Sequence, residues 1–158
     1  MKRIVFVCLG NIVRSPLAEN LFRKMAEERG MEAEFQVDSA GTSAYHAGEA
    51  PDARMRKVAS RHGLDYTGTS RQFQAEDFDR FDLVIAMDED NQRALRGMAA
   101  PEDEGKIYLM RDFDPQAGGE KGVPDPYYGG MRGFEKVFEI LRRSTEGLLD
   151  ALEEDGGL

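Results

Sequence analysis

The chain has 158 residues, of which 41% are apolar and 32% are charged, the composition of a globular protein with one buried core. We therefore predict a single domain over residues 1–158. A formal net charge of −9 argues against the basic face that nucleic-acid binding needs. One cysteine with two histidines excludes an intrachain disulfide and argues against a metal site.

The N-terminus has no feature of a targeting or membrane segment. Only six apolar residues, from 4 to 9, stand together before Gly10 and Asn11, fewer than a signal-peptide core or a membrane span requires. We expect a cytoplasmic protein with no membrane partner, and such a reducing location suits a free thiol at Cys8.

The first predicted strand and helix enclose the only cysteine. Residues 4–7 are apolar throughout and predict a buried parallel strand. Ser15 and Pro16 open an amphipathic helix, with Ser15 expected as its N-cap and as a support for the thiol. Cys8 and Arg14 then lie on a short loop whose backbone N–H groups can surround a phosphate, while the guanidinium and helix N-terminus favour a thiolate. A lone cysteine after an apolar run is usually a small buried hydrophobe, and the Cys-x5-Arg-Ser spacing is what favours catalysis.

The rest of the chain alternates between predicted strands and helices. Strands are predicted at residues 34–37, 81–87 and 107–109, helices at 51–62, at 88–98 and from 134 onward, and a long loop at 112–130. This order predicts an α/β fold, a four-stranded parallel sheet with helices on both faces and a phosphate-binding loop after strand 1. Because ligands bind at the carboxyl ends of such strands, we expect Cys8, Ser39, Asp88 and the long loop at one edge, with Ser39 just beyond the second strand.

The long loop offers the proton donor that phosphoryl transfer to a thiolate requires. Such a transfer needs a nucleophile, positive charge around three oxygens and an acid for the leaving oxygen. Cys8 and Arg14 supply the first two, Arg14 through a planar guanidinium that binds two oxygens. Asp125 lies between two prolines and precedes two tyrosines that can flank an aryl ring, so we prefer it as the acid to Asp114. The residues alone thus predict a cysteine-dependent phosphatase.

Three further segments follow the cysteine loop at the spacing of one family. They are Ser39-Ala40-Gly41-Thr42, Met87-Asp88 with Asn91, and Asp125-Pro126-Tyr127-Tyr128. With the cysteine loop they resemble the low-molecular-weight protein tyrosine phosphatases over nearly the whole chain. The resemblance implies hydrolysis of phosphotyrosine in proteins or peptides without metal or cofactor. Cys8 would be the nucleophile, Arg14 would bind the phosphoryl group, and Asp125 would act as general acid and then base.

The resemblance also implies supporting residues. Asn11 would hold a strained loop into which Ser15 and Ser39 are bonded, with Asp88 as a further support. The implied substrate-binding residues are Leu9, Gly10, Asn11, Ile12, Val13, Ser15, Tyr45, Tyr127 and Tyr128, of which the tyrosines would line the phosphotyrosine slot. The paired tyrosines at the rim also predict weak self-association.

Some positions depart from the family's pattern. Val13 stands where many members have a second cysteine, Gly68 where some have a histidine, and Tyr45 where many have a tryptophan. None of these changes removes a catalytic group.

Three other functions share parts of this pattern. A protein arginine phosphatase of the same fold tends to have threonine where this chain has Ile12, whose branched apolar side chain suits an aryl ring. An arsenate reductase of this fold needs further cysteines to relay a disulfide. A non-catalytic phosphopeptide-binding module usually lacks the nucleophile or the acid, and both are present here. We therefore favour the tyrosine phosphatase.

Overall fold

The computed structural model describes residues 1–154, so residues 155–158 of the predicted domain lie outside the described residues. Within the described part, the strands and main helices follow the predicted order, and one short helix at Asp77–Arg80 has no counterpart in the prediction. The strands are β1 Lys2–Cys8, β2 Phe35–Gly41, β3 Leu83–Ala86 and β4 Ile107–Leu109. The α-helices are α1 Arg14–Glu28, α2 Ala53–Arg61, α3 Asp77–Arg80, α4 Glu89–Met98 and α5 Met131–Glu154, and 3-10 turns cover Glu32–Glu34, Pro101–Lys106 and Met110–Phe113.

The four strands form one parallel sheet in the order β2-β1-β3-β4. This confirms the predicted sheet and places β2 at its edge. In the register of the sheet Cys8 pairs with Gly41, and Val7 pairs with Ala86. The carboxyl ends of β1, β2 and β3 therefore meet at one edge, where the loop after β1 begins.

The apolar side chains of β1 alternate between the two faces of the sheet. Ile4 and Phe6 pack in the cluster that includes residues of α1, α2 and α5, whereas Val5 and Val7 pack with Phe73, Phe78 and Leu95 beside α3 and α4. Complete burial of each such side chain stabilises the fold by about 1.5–3 kcal/mol. The sheet is thus covered by helices on both faces, and β1 is fixed from both.

Helix α5 is the longest element, with 24 residues. Its apolar stripe, which includes Phe134, Val137, Phe138 and Leu141, is buried in the core cluster beside α1 and α2, whereas charged residues occupy much of its outer face. No helix in residues 1–154 combines the length and the apolar composition that a membrane crossing requires.

Strand β2 is longer than its sequence indicates. It runs to Gly41 instead of ending near residue 37, because every residue from Phe35 to Gly41 has a partner on β1. The polar pair Asp38 and Ser39 therefore lies within the strand, and the expectation that Ser39 follows the strand is wrong. Pairing with a long buried neighbour overrides the local composition here.

The predicted capping role of Ser15 is also wrong. Helix α1 begins at Arg14, its N-cap is Val13, and no side chain caps it. The Ser15 hydroxyl lies 3.1 Å from Cys8 Sγ and accepts a hydrogen bond from Asn11 instead. A serine hydroxyl satisfies a cap or a buried partner, and the buried partners take it here.

Asp77 ties the segment before α3 to the cysteine loop. Its buried carboxylate accepts hydrogen bonds from Arg71 (2.9 Å), from Arg80 (3.3 Å) and from the Gln74 N–H (2.8 Å). Burial alone would raise the pKa of Asp77, but the hydrogen bonds and the arginine charges outweigh burial and hold it below its usual value. The Arg71 N–H in turn donates to the side chain of Asn11.

We predict that Asp77→Asn destabilises the fold at pH 7 by about 2 kcal/mol, the contribution of hydrogen bonds to a buried charge. Because the folded state lowers the pKa of Asp77, this stabilisation is complete above the unfolded value of about 3.9 and is lost as pH falls through the lower folded value. Urea unfolding at pH 7 and pH 3 should therefore show a difference between wild type and variant that shrinks in acid. Asp79→Asn, an exposed carboxylate of the same helix, is the control. A difference that is the same at both pH values would contradict this account.

Candidate active site

The loop between β1 and α1 folds around the thiol of Cys8. The cysteine is 2% exposed, and its Sγ accepts a hydrogen bond from the Asn11 N–H at 3.3 Å. Ser15 Oγ lies 3.1 Å from the same sulfur. The Asn11 N–H and the Ser15 hydroxyl therefore both contact the sulfur, which lies just before the N-terminus of α1.

Asn11 gives the loop its shape. Its φ of 57° is the only positive value at a non-glycine residue in the part of the chain that the structure describes. The side-chain amide donates to Ser15 Oγ (2.8 Å) and Ser39 Oγ (3.0 Å) and accepts from the Arg71 N–H (2.9 Å), while Ser70 Oγ donates to the Asn11 carbonyl at 2.6 Å. A left-handed conformation costs about 1–2 kcal/mol, and these four hydrogen bonds offset that cost.

Arg14 is the cation beside the thiol. Its side chain is 3% exposed, and Nη1 donates to Asp88 at 2.7 Å and to the Val123 carbonyl at 2.9 Å. Burial alone would lower the pKa of Arg14, but the negative charges of Cys8, Asp88 and Asp125 and the hydrogen bond to Asp88 raise it above its ordinary value. The guanidinium therefore stays charged and has a fixed orientation.

Asp88 has two contacts at the carboxyl end of β3. One carboxylate oxygen binds Arg14, and the other accepts the Asn91 N–H at 2.8 Å and so caps α4. The cap holds the carboxylate in place, so Asp88 orients Arg14 from a rigid helix end.

The structure separates the two candidate acids. Asp125 is 41% exposed and lies at the cleft, with its Oδ2 3.6 Å from Arg14 Nη2. Asp114 is buried outside the cleft and pairs with both Arg111 and Arg143. Burial alone would raise the pKa of Asp114, but hydrogen bonds from Arg143 and the Gln116 N–H hold it below its usual range. Only Asp125 is therefore placed to exchange a proton with a bound molecule.

A cleft of about 480 Å³ opens above the loop. Its floor is formed by the loop, with Cys8 and Arg14, and its walls by two segments that carry tyrosines. The lining residues are Cys8, Leu9, Gly10, Ile12, Val13, Arg14, Ser43, Tyr45, His46, Asp125, Tyr127 and Tyr128. All three predicted tyrosines thus reach the cleft, and Tyr45 and Tyr128 are strongly exposed at its rim.

Other predicted site residues lie behind the loop. The side chains of Asn11, Ser15 and Ser39 do not line the cleft, and they form the hydrogen-bonded layer beneath it. The Ser39 hydroxyl donates onward to Glu19 at 2.6 Å. These side chains therefore hold the loop from below and do not face a bound molecule.

Sequence reasoning missed two lining residues and two loop supports. Ser43 and His46 line the cleft, and the His46 ring lies 5.7 Å from that of Tyr127 and binds Glu49. Ser70 and Arg71 hold Asn11 from a segment about 60 residues away. The position of His46 beside Tyr45 was a usable signal, whereas nothing near residue 70 marks it as a partner of the loop.

A family model described as low molecular weight phosphotyrosine protein phosphatase matches residues 3–157. The chain belongs to this family. It is 47% identical to a low molecular weight protein-tyrosine-phosphatase of Streptomyces coelicolor over 154 residues, which cover 96% of this chain and 94% of that protein. The resemblance found from the sequence is thus confirmed.

Solved structures agree with the family membership. A protein tyrosine phosphatase of Entamoeba histolytica, crystallised with Hepes in the active site, has a TM-score of 0.94 at 40% identity and covers 99% of each chain. An arginine phosphatase of Drosophila has a TM-score of 0.90 at 33% identity, with 98% of this chain and 99% of that chain covered. The predicted fold class is confirmed. One of these similar structures is named as an arginine phosphatase, the alternative function considered from the sequence.

Asn11 variants should separate the backbone contribution from the side-chain contribution. We predict that Asn11→Gly retains more activity than Asn11→Ala, because glycine adopts the positive φ without the strain of about 1–2 kcal/mol that alanine suffers. Both variants should fall well below wild type, since neither has the amide that binds Ser15, Ser39 and Arg71. Aryl phosphate hydrolysis gives the ranking. Equal activity of the two variants would show that the conformation of residue 11 is not limiting.

Proposed function

We propose that this phosphatase hydrolyses phosphotyrosine in proteins or peptides through a cysteinyl-phosphate intermediate on Cys8. One observation carries the proposal. A thiol whose sulfur contacts the Asn11 N–H and the Ser15 hydroxyl lies beside a buried, charged Arg14, at the floor of a cleft whose wall presents an exposed carboxyl group. Nucleophile, anion-binding site and proton donor are therefore within one cleft.

In the first step, the Cys8 thiolate attacks phosphorus. The S–P bond forms while the bond from phosphorus to the phenol oxygen breaks. Arg14 and the backbone N–H groups of the loop bind the three equatorial oxygens, whose charge they stabilise in the transition state. Asp125 donates its proton to the departing phenol oxygen.

In the second step, water releases the phosphate. The Asp125 carboxylate takes a proton from the water, whose oxygen attacks phosphorus, and the S–P bond breaks. Cys8 leaves as a thiolate, which the Asn11 N–H and the Ser15 hydroxyl stabilise. The positive charge that the reaction needs comes from Arg14 and the loop, so the proposed mechanism uses no metal or cofactor.

The shape of the cleft favours an aryl substrate. Ile12 lines it with an apolar side chain, and Tyr45, Tyr127 and Tyr128 offer flat surfaces for a ring. A protein arginine phosphatase remains the second candidate because a neighbour at 33% identity is named one. Turnover of phosphotyrosine, phosphoarginine and phosphoserine peptides by the purified enzyme decides between them, and we expect phosphotyrosine to be preferred.

Two further properties complete the proposal. We place the enzyme in the cytoplasm, supported by a catalytic thiol that needs a reducing compartment. We also propose weak self-association through the paired rim tyrosines Tyr127 and Tyr128, of which Tyr128 is strongly exposed. Two side chains cover far less area than a stable dimer interface buries, so the association is weak.

We predict that Cys8→Ser lowers aryl phosphate turnover by at least about a thousandfold, because a hydroxyl holds its proton far more tightly than a thiol does. The assay contains a metal chelator, which should leave the wild-type rate unchanged. Thermal unfolding shows whether the variant is folded. Retention of more than a few per cent of the wild-type rate would place the nucleophile elsewhere.

We predict that Asp125→Ala slows substrates in proportion to the basicity of their leaving group. A tyrosine phenol, with a pKa of about 10, must be protonated as it departs, whereas a dinitrophenol leaves as the anion. The kcat/KM for a phosphotyrosine peptide should therefore fall about a hundredfold or more, and that for dinitrophenyl phosphate only a few-fold. Asp114→Asn is the matched control in the same loop and should not change the ratio of the two substrates. If Asp114→Asn alone changes that ratio, the acid has been misassigned.

A further inference from the structure

The loop that carries Asp125 has no regular secondary structure. No helix or strand of the described chain lies between Phe113 and Met131, and the Asp125 side chain is exposed. A general acid works only when its oxygen is held within hydrogen-bond reach of the leaving group. The orientation of Asp125 must therefore be fixed by contacts with other parts of the chain.

Arg54, in the first turn of α2, makes such a contact. Its Nη1 donates to the carbonyl of Tyr127 at 2.9 Å. The guanidinium carbon lies 5.1 Å from the centre of the Tyr127 ring and 4.7 Å from that of Phe134, at the start of α5. Arg54 thus holds the segment that follows Asp125 by one hydrogen bond and by contact with an aromatic ring.

Asp52 fixes the guanidinium itself. Its two carboxylate oxygens accept from Nε at 3.2 Å and from Nη2 at 2.8 Å of Arg54, a two-pronged contact. Burial alone would raise the pKa of Asp52, but hydrogen bonds from Arg54 and Met55 hold it below its usual value. Asp52 therefore stays ionised and keeps Arg54 in one orientation.

These contacts connect the cysteine loop to the loop that carries Asp125. At one end, the Asp52 N–H donates to the Ile12 carbonyl in the cysteine loop at 2.7 Å. At the other end, the Tyr127 N–H donates to Asp125 Oδ1 at 3.1 Å, which leaves Oδ2 facing Arg14. The path from the cysteine loop through Asp52, Arg54 and Tyr127 to Asp125 is unbroken.

The ion pair of Arg54 and Asp52 is separate from the cap of α2. Asp52 is the N-cap of this helix and accepts from the N–H groups of Arg54 and Met55, and the Arg54 guanidinium, 41% exposed, is not part of that cap. The guanidinium instead donates to the Tyr127 carbonyl and so ties the turn at residues 125–127 to α2. Positioning this turn is thus a role of the arginine side chain that the helix itself does not require.

We propose that Arg54 is a positioning residue that holds the Asp125 carboxyl group in a fixed position relative to the cysteine loop. This inference rests on the proposed role of Asp125 as the general acid. Arg54 does not touch the reacting atoms, and it acts through the Tyr127 carbonyl and the Tyr127 N–H. Its removal lets the turn at residues 125–127 reorient, so that the proton is delivered less often to the leaving oxygen.

The leaving-group dependence of kcat/KM tests this role, because it reports the step in which the phenol departs. We expect Arg54→Ala to lower kcat/KM for a phosphotyrosine peptide by about 10- to 100-fold, part of the full effect of general acid catalysis. The value for dinitrophenyl phosphate should change less than about threefold, since that phenol leaves without a proton. A residue that only stabilises the fold would change both substrates equally.

Arg56→Ala is the matched control. It removes a second arginine from the first turn of α2. The Nε of Arg56 donates to the Pro51 carbonyl and not to the loop that carries Asp125. We expect Arg56→Ala to have the same ratio of kcat/KM values for the phosphotyrosine peptide and dinitrophenyl phosphate as the wild type. If Arg54→Ala does not fold, Arg54→Lys decides by the same ratio, because one ammonium cannot bind both Asp52 and the Tyr127 carbonyl in this geometry.

A double-mutant cycle with Asp125→Ala completes the experiment. If Arg54 acts through Asp125, the Arg54 substitution should have almost no further effect on the phosphotyrosine peptide once Asp125 is alanine. An undiminished effect in that background, or an equal loss with both substrates, overturns the inference. If Asp125→Ala slows both substrates equally, Asp125 is not the general acid, and the inference about Arg54 is wrong as well. If Asp125→Ala slows the phosphotyrosine peptide more than dinitrophenyl phosphate, but neither Arg54→Ala nor Arg54→Lys does so, only the inference about Arg54 is wrong.

Discussion

Asn11 occupies a left-handed conformation, and the loop keeps it only because both ends of its amide and its own carbonyl are hydrogen-bonded. That conformation turns the Asn11 N–H toward Cys8 Sγ. The partners of Asn11 come from α1, from β2 and from the segment around residue 70, so the loop depends on the packing around the sheet edge. The strain of the loop is thus balanced by the fold around it.

A second constraint is electrostatic. The chain has a net charge of −9, yet its cleft must attract a phosphate. Arg14 resolves this conflict by lying buried at the cleft floor, where its charge is little screened, between the carboxylates of Asp88 and Asp125. The two carboxylates orient the guanidinium and raise its pKa. They also offset part of its positive charge, so the hydrogen-bond donors of Arg14 and of the loop backbone contribute to phosphate binding beside that charge.

Much of the site could be predicted from the sequence because its signals are local. The apolar run before Cys8, the spacing to Arg14 and the rule that parallel strands end at one edge predict that the long loop meets the thiol, and the prolines and tyrosines beside Asp125 favour it over Asp114. The remaining contacts depend on long-range packing. Ser15 could have capped a helix, and only the nearness of Cys8 and Asn11 in the fold decides against it. Similarly, β2 reaches Gly41 because its partner β1 does.

Arg54 and His46 show the same limit. An arginine in the first turn of a helix indicates only a solvated side chain, and the carbonyl that it binds lies 73 positions further along the chain. The His46 ring is brought to the Tyr127 ring by folding alone. Contacts between two loops that are distant in the sequence leave no local sequence pattern, so they can be identified only from the folded structure.

The buried position of Cys8 also bears on oxidation. Peroxide that enters the cleft would convert a thiolate to sulfenic acid, which a neighbouring thiol can trap as a reversible disulfide. Val13 stands next to Arg14, and the chain has no second cysteine to form that disulfide. Further oxidation to the sulfinic and sulfonic acids, which thiols do not reverse, is then opposed only by external thiols such as glutathione or by a sulfenamide with a backbone nitrogen. Since the sulfur is reached through the cleft, a bound substrate or product protects it from the oxidant.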